Sequence, residues 1–260
     1  MSLENLYRRT VLGVADWAPL ERLLRRRGLS WGVRRFVAGV EEEEAVAVCR
    51  QLEEEGLSAI LDLLGEFVTS AAAAREMTGA ILSGLEALGG RVASPAMSVK
   101  PTQLGLGVGF DEALRNAGAI ARRANESGIE LCLDMESFEY VDETLQLLEA
   151  LLDDGLDNVS TVLQSYLKRT PEDLVRLLGR ASPPDLRIVK GAYREPPEVA
   201  FQRRPEIEGG FLDAVTATLD AGAKVNIATH DERLINRCEE LLAGREGASY
   251  EFQLLYGVRP

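Results

Sequence analysis

The 260-residue sequence is short of cysteine and histidine, with three of the first and one of the second. Cys49, Cys132 and Cys238 are odd in number, widely separated and free of CxxC or metal-type spacing. That speaks against a disulfide framework or a zinc site and fits a reducing cytoplasm. Long apolar runs are also lacking. Nothing approaches the length of a membrane span, and Met1–Thr10 has no apolar segment after a basic start, so neither a spanning helix nor a secretion signal is expected. Positive charge is scarce: lysine and arginine total 29 against 42 acidic residues, a net charge of −13 that repels a phosphate backbone. Nucleic acid is therefore not an expected partner. The bases crowd the N-terminal stretch, at Arg8, Arg9, Arg22, Arg25, Arg26, Arg27, Arg34 and Arg35. Such a cluster is ordinarily a solvated helix face; its functional reading is peripheral contact with an anionic membrane. A cytoplasmic protein, soluble or at most peripheral at the inner membrane, is the expectation.

What is present suffices for one sizeable core, with 46% hydrophobic and 27% charged residues. The length suits a single α/β barrel, which takes roughly 250 residues. Leu3 to Glu55 reads as wholly helical, an N-terminal arm (residues 1–57) in which Trp17 and Trp31 pack rather than bind. From residue 58 to 260, short apolar or β-branched runs alternate with segments of helical spacing. Strands are expected at Ser58–Leu63, Ala96–Lys100, Ile129–Asp134, Val159–Gln164, Leu186–Lys190, Lys224–Thr229 and Tyr250–Leu255. Helices are expected at Ala71–Leu88, Phe110–Ser127, Val141–Asp154, Thr170–Leu178, Gly210–Ala221 and Asp231–Leu242. Steady alternation of this kind points to the α/β class and a distorted (β/α)8 TIM-type barrel rather than a doubly wound sheet. On that count the last strand and helix are missing after Pro260, which reads as a truncated chain; alternatively, the helical arm fills the gap.

In such barrels chemistry gathers at the carboxyl ends of the strands. Those ends carry Glu66, Lys100, Asp134 with Glu136, Gln164, Arg187 with Lys190, Thr229 with the sole histidine His230, and Gln253. Each alone has a plain explanation, Lys100 as a solvated strand end and Asp134 or His230 as a helix cap. Together they imply a polar ligand or an ion-pair network, because polar groups aimed into one cavity are costly without partners. Val189-Lys190-Gly191-Ala192-Tyr193 adds a small Gly-Ala step directly after a strand. Such a step lets backbone N–H groups approach a phosphate or a flat ring beside the lysine charge. Gly105-Leu106-Gly107-Val108-Gly109 lacks the third glycine at the spacing of a dinucleotide fingerprint and the acidic residue on the next strand, so a flexible loop is expected there.

Seven strings stand in order at these strand ends: Leu61-Asp62-Leu63-Leu64-Gly65-Glu66, Ser98-Val99-Lys100, Leu133-Asp134-Met135-Glu136, Leu163-Gln164-Ser165-Tyr166, Arg187-Ile188-Val189-Lys190-Gly191-Ala192-Tyr193, Ala228-Thr229-His230-Asp231 and Glu251-Phe252-Gln253-Leu254-Leu255-Tyr256-Gly257. In combination they resemble the proline dehydrogenases, both the monofunctional bacterial kind and the corresponding domain of bifunctional proline-catabolic flavoenzymes. The resemblance implies noncovalent FAD over the barrel mouth and oxidation of L-proline to Δ1-pyrroline-5-carboxylate by hydride transfer to flavin N5. It also implies a membrane quinone as electron acceptor. Asp134 and Arg187 are then the catalytic pair, Arg187 near N5 and Asp134 holding the cationic groups. Met135 and Gln164 contact the isoalloxazine region, while Lys190, Gly191 and Ala192 serve the ribityl-pyrophosphate part with Thr229 and His230. Lys100 pairs with the proline carboxylate, and Tyr193 and Leu255 wall its ring. Glu66 corresponds to a gate residue whose arginine partner, with the family's carboxylate-clamping tyrosine and arginine pair, has no matching position before Pro260. Weak proline binding by this chain is the resulting expectation.

The residues by themselves leave other readings open. A Schiff-base aldolase would use Lys190 or Lys100 as nucleophile. A metal-dependent barrel would use Asp134, Glu136 and His230, a reading the single histidine weakens, so no metal site is expected. A non-enzymatic scaffold would offer the edge of the seventh strand to a partner.

Overall fold

The computed structural model describes residues 35–258, so Trp17, Trp31 and the arginines up to Arg34 lie outside the described residues. Among the described residues helix α1 (Glu42–Glu54) comes first, and it sets Val46 and Cys49 into the core. There follow β1 (Ile60–Asp62), α2 (Ala71–Leu88), β2 (Ala96–Val99), α3 (Phe110–Glu126), β3 (Glu130–Leu133), α4 (Val141–Asp153) and β4 (Val159–Gln164). The chain continues through α5 (Thr170–Leu178), β5 (Leu186–Val189), α6 (Arg204–Asp220), β6 (Val225–Ala228), α7 (Glu232–Leu242) and β7 (Tyr250–Gln253). The strands form one sheet in the order β1 to β7, and every neighbouring pair is parallel. Parallel neighbours need a crossover, and here each crossover is a helix. The result is the curled, parallel half-barrel that the alternation of patterns implies. No helix among the described residues is long and apolar enough to cross a membrane.

Local chemistry explains the helix starts. Ser70 caps α2 by accepting from the Ala73 N–H at 3.2 Å, and Asp231 caps α7 by accepting from the Arg233 N–H at 3.2 Å. Both α5 and α6 begin with a proline in the first turn, where its missing N–H has no partner to lose. Because side chains alternate across a strand, the sheet has two faces of opposite character. Met97, Leu131, Leu133, Leu186, Ile188 and Ile227 point to the convex side and are buried under the helices. The concave face takes Asp62, Ser98, Arg187, Asn226 and Glu251, which share faces through the register of neighbouring strands. Curling brings distant strands together there: Arg187 of β5 reaches Ser98 of β2 at 3.1 Å, and Lys224 before β6 reaches Glu130 of β3 at 3.2 Å.

Two sequence expectations are corrected. The helix expected from Gly210 starts at Arg204 and runs through Gly209 and Gly210, of which Gly210 is a packing position rather than a break. A Cβ on Gly210 would lie 3.1 Å from the Ser165 carbonyl oxygen, and Ser165 Oγ donates to the Ile207 carbonyl at 3.0 Å. The Gly105–Gly109 run, expected as a flexible loop, is a hydrogen-bonded turn, buried at Gly105 and Leu106 and exposed at Gly107 and Val108. Leu106 N–H donates to the Pro101 carbonyl at 3.0 Å, Gly109 N–H to the Gly105 carbonyl at 3.0 Å, and Asn116 Nδ2 to the Leu104 carbonyl at 2.9 Å.

Candidate active site

The carboxyl ends of β1, β2, β3, β5 and β7 deliver one connected cluster. Arg187 lies at its centre: Nη1 donates to Asp134 Oδ1 at 2.8 Å, both terminal nitrogens reach Ser98 Oγ at 3.1 Å, and Nε donates to Gln253 Oε1 at 2.6 Å. Lys100 Nζ bridges two carboxylates, Asp62 Oδ2 at 2.9 Å and Asp134 Oδ2 at 3.3 Å. The side chains of Arg187, Lys100 and Asp134 are only 12%, 16% and 20% exposed, so these charges meet in weakened solvent screening. Burial pulls the Lys100 ammonium downward, but the Asp134 and Asp62 carboxylates outweigh it and hold its pKa above the ordinary lysine value. Arg187 is likewise raised, its desolvation offset by the negative groups around it. Burial pushes Asp62 up despite Lys100, and its Oδ1 is buried without a hydrogen-bond partner among the described residues.

Around this centre the other expected residues fall into two groups. Glu136 is fully buried and accepts from Thr102 N at 2.9 Å and Thr102 Oγ1 at 2.6 Å. Its own carbonyl accepts from Gln164 Nε2 at 2.9 Å. Burial raises the Glu136 carboxyl above its usual value, more than the two Thr102 hydrogen bonds lower it. Thr102 also receives Phe67 N–H at 3.1 Å, which pins the β1–α2 loop although Phe67 sits at φ 54°, in the left-handed region. Glu66, next to it, is exposed and makes no ion pair among the described residues. Tyr193 lies in the same field: burial lifts its phenol first, and the Glu66 and Glu136 charges lift it further. Met135 is buried beside Asp134.

The second group stands at the ends of β5 and β6. Lys190 Nζ and Arg204 Nη2 share Asp231 Oδ2 at 3.0 and 2.7 Å. Burial would raise Asp231, but the Lys190 hydrogen bond and the two cationic charges bring it below the ordinary aspartate value. Thr229 Oγ1 accepts from Asp231 N–H at 3.1 Å, and His230 Nε2 accepts from the Leu255 N–H at 2.9 Å. That contact assigns the neutral tautomer with its proton on Nδ1. Leu255 itself is 70% exposed. Gly191 has φ 113°, and a Cβ there would lie 2.2 Å from Tyr166 Cδ1, so Gly191 packs on the Tyr166 ring with no room for a side chain.

Sequence reasoning quoted Asp62, Ser98 and Asp231 within strings but gave them no role, and passed over Arg204. Asp62 carried a signal as an acidic group at the end of an apolar strand and Asp231 as a helix cap just beyond one; Arg204 carried none. The alternative chemistries lose ground on geometry. Lys100, held charged between two carboxylates, lacks the depressed pKa a Schiff-base nucleophile needs. Glu136 is committed to Thr102, and no group of metal-binding side chains is assembled among the described residues.

Parallel strands covered by helices on one side, with an ionised cluster at their carboxyl ends on the other, define an enzyme of the βα-barrel class. A family model described as proline dehydrogenase matches residues 45–259. The proline dehydrogenase of Deinococcus radiodurans is 38% identical over 264 residues, covering 99% of this chain and 84% of that protein. Proline dehydrogenase 1 of Bacillus subtilis is 31% identical, covering 98% of this chain and 84% of that protein. Among solved structures, proline utilization A (PutA) from Bdellovibrio bacteriovorus, inactivated by N-propargylglycine, superposes over 92% of this chain with TM-score 0.79 and 21% identity. The chain spans 30% of the length of that structure, and the likeness concerns the fold. The chain belongs to the proline dehydrogenase family.

Proposed function

We propose that the protein oxidises L-proline to Δ1-pyrroline-5-carboxylate with FAD as cofactor and a membrane quinone as final acceptor. The observation that carries this is the Lys100–Asp134–Arg187 cluster at the strand ends of a chain in the proline dehydrogenase family. C5 of proline gives up a hydride and the ring nitrogen a proton, which leaves the C=N bond of the product. FAD, when bound, supplies the hydride acceptor. Every other contribution is one of position and charge. Lys100, kept cationic by its two carboxylates, is suited to hold the proline carboxylate. Asp134 fixes Lys100 and Arg187 relative to each other, so the substrate and the flavin ring share one set of anchors. Tyr193 and Leu255 are assigned to the substrate ring and Glu66 to the mouth as its gate.

The donor chemistry fits a flavin dinucleotide. Lys190 is 38% exposed and Arg204 more so, which leaves both cations within reach of a pyrophosphate beside the hydroxyl of Thr229, the imidazole of His230 and the backbone of Gly191 and Ala192. Met135 and Gln164 are assigned to the isoalloxazine region and Arg187 to the neighbourhood of N5. The quinone, and peripheral contact with the inner membrane from the cytoplasmic side, rest on the family alone.

An anaerobic absorbance spectrum of the purified protein before and after L-proline tests the proposal. A yellow protein that bleaches with proline and recovers with a quinone analogue is expected. Protein that takes up no flavin when reconstituted with FAD, or flavin that proline leaves oxidised, overturns it.

A further inference from the structure

We propose that Glu251 is a positioning residue for Arg187 and acts through the side-chain amide of Gln253. Gln253 ends β7 and is clamped at both ends of its amide. Its Oε1 accepts from Arg187 Nε at 2.6 Å, and its Nε2 donates to Glu251 Oε1 at 2.6 Å. A primary amide has one accepting and one donating end, so each contact dictates the other. Turning the amide over would set its NH2 against the guanidinium and its carbonyl against the carboxylate, two repulsions in place of two hydrogen bonds. The carboxylate therefore selects the amide orientation that Arg187 needs. With Nε taken on one side, Nη1 and Nη2 are aimed at Ser98 and Asp134 on the other, and the plane of the guanidinium is set.

Glu251 is itself anchored from below. Lys224 Nζ lies 3.6 Å from Glu251 Oε2 and donates to Glu130 Oε2 at 3.2 Å. Glu251 lies on the concave face level with Arg187, since Asn226 pairs with both, and Gln253 lies one same-face step nearer the carboxyl ends, paired with Ala228. Glu251 has no hydrogen bond or ion pair of its own to Arg187, Asp134 or Lys100, so its influence on them runs through the amide.

The experiment compares Glu251→Asp, Gln253→Glu and the exchanged pair Glu251→Gln/Gln253→Glu. Aspartate keeps a charge near Lys224 but draws the carboxylate back by about 1.5 Å, beyond reach of Gln253. The exchanged pair restores the pattern in reverse, a carboxylate at 253 for Arg187 and an amide NH2 at 251 to donate to it. The first readout needs neither flavin nor substrate: hydrogen exchange of the Arg187 Nε–H by 15N NMR, assigned with Arg187→Lys. Slow exchange is expected in the parent and the exchanged pair, fast exchange in Glu251→Asp. The second readout, which rests on the proposed function, is flavin reduction by L-proline in the holoenzyme. Glu251→Asp should be about tenfold slower, the size of one net hydrogen bond, at an unchanged proline dissociation constant, and the exchanged pair should recover most of the loss. Equal Nε–H protection in parent and Glu251→Asp, or no recovery on exchange, overturns the proposal. If Glu251→Asp does not fold, Gln253→Glu alone, with two facing carboxylates, must be slower than the exchanged pair; equal rates overturn it. A parent whose flavin proline never reduces would sink the proposed function and leave the NMR result to judge this inference.

Discussion

Removing the charge of Asp134 while keeping its shape is the sharpest perturbation the site offers. Asp134→Asn leaves Arg187 and Lys100, both mostly buried, without the carboxylate they share at 2.8 and 3.3 Å. Each contact at that separation is worth roughly 5 kcal/mol of Coulomb energy at an effective dielectric near 20, before the desolvation that offsets it. Measured losses for breaking one side of a buried pair run at about 3–5 kcal/mol. Asp62 still faces Lys100 at 2.9 Å, and Ser98 and Gln253 still bond Arg187, so the low end applies. The expected cost is about 3 kcal/mol in urea unfolding at pH 7, or a Tm lower by roughly 6–12 °C for a chain of this length. Asp62→Asn is the internal control. It removes the other carboxylate from the same lysine, but burial already makes the Asp62 charge costly, so a change within about 1 kcal/mol is expected. An Asp134→Asn loss below about 1 kcal/mol, or an equal loss from Asp62→Asn, would refute the claim that Asp134 is the counter-charge of the cluster.

Two other variants probe the supports of the site. Thr102→Val removes one hydrogen bond from the buried Glu136 carboxylate and another from Phe67 N–H, for a loss of about 1–3 kcal/mol at neutral pH. Burial holds the folded pKa of Glu136 above the ordinary glutamate value, so its favourable contribution is complete below that value and is lost as pH rises through the folded pKa. Thr102→Val pushes the folded pKa further up, so the deficit against the parent should widen from pH 4 to pH 8; a constant deficit in urea titrations would count against the assignment. Gly191→Ala combines a left-handed φ of 113° with a 2.2 Å clash on Tyr166 and should cost about 2–4 kcal/mol and lower the flavin content of the purified protein. Gly222→Ala, at φ 75° with open space, should cost only about 1 kcal/mol; similar thermal shifts for the two would show that the Tyr166 contact does not matter.

Much of the architecture was legible because the two periodicities are clean. Strands such as Val159–Gln164 were located to the residue, and the βα alternation alone pointed to a barrel. The start of α6 was not legible, since Gly209 and Gly210 together look like a break, and only the approach of Ser165 gives Gly210 a reason. The cluster was half legible. Lys100, Asp134 and Arg187 stood out as charges at strand ends, but nothing along the chain says that residue 187 meets residues 98 and 253, which depends on how far the sheet curls. Asp62 was read past because its partner lies 38 residues away on the next strand.

The division of the sheet into an apolar convex face and a polar concave face bears on how such a protein can change over time. The residues that supply most of the burial energy, Leu131, Leu133, Ile188 and Ile227 among them, point away from those assigned to chemistry. A substitution at Ser98, Asn226 or Glu251 therefore alters the reacting environment while leaving the helix-packed layer intact. Selection can rework the specificity of this site along one side of the strands with little cost to folding, so new substrates are more accessible to the scaffold than new topologies.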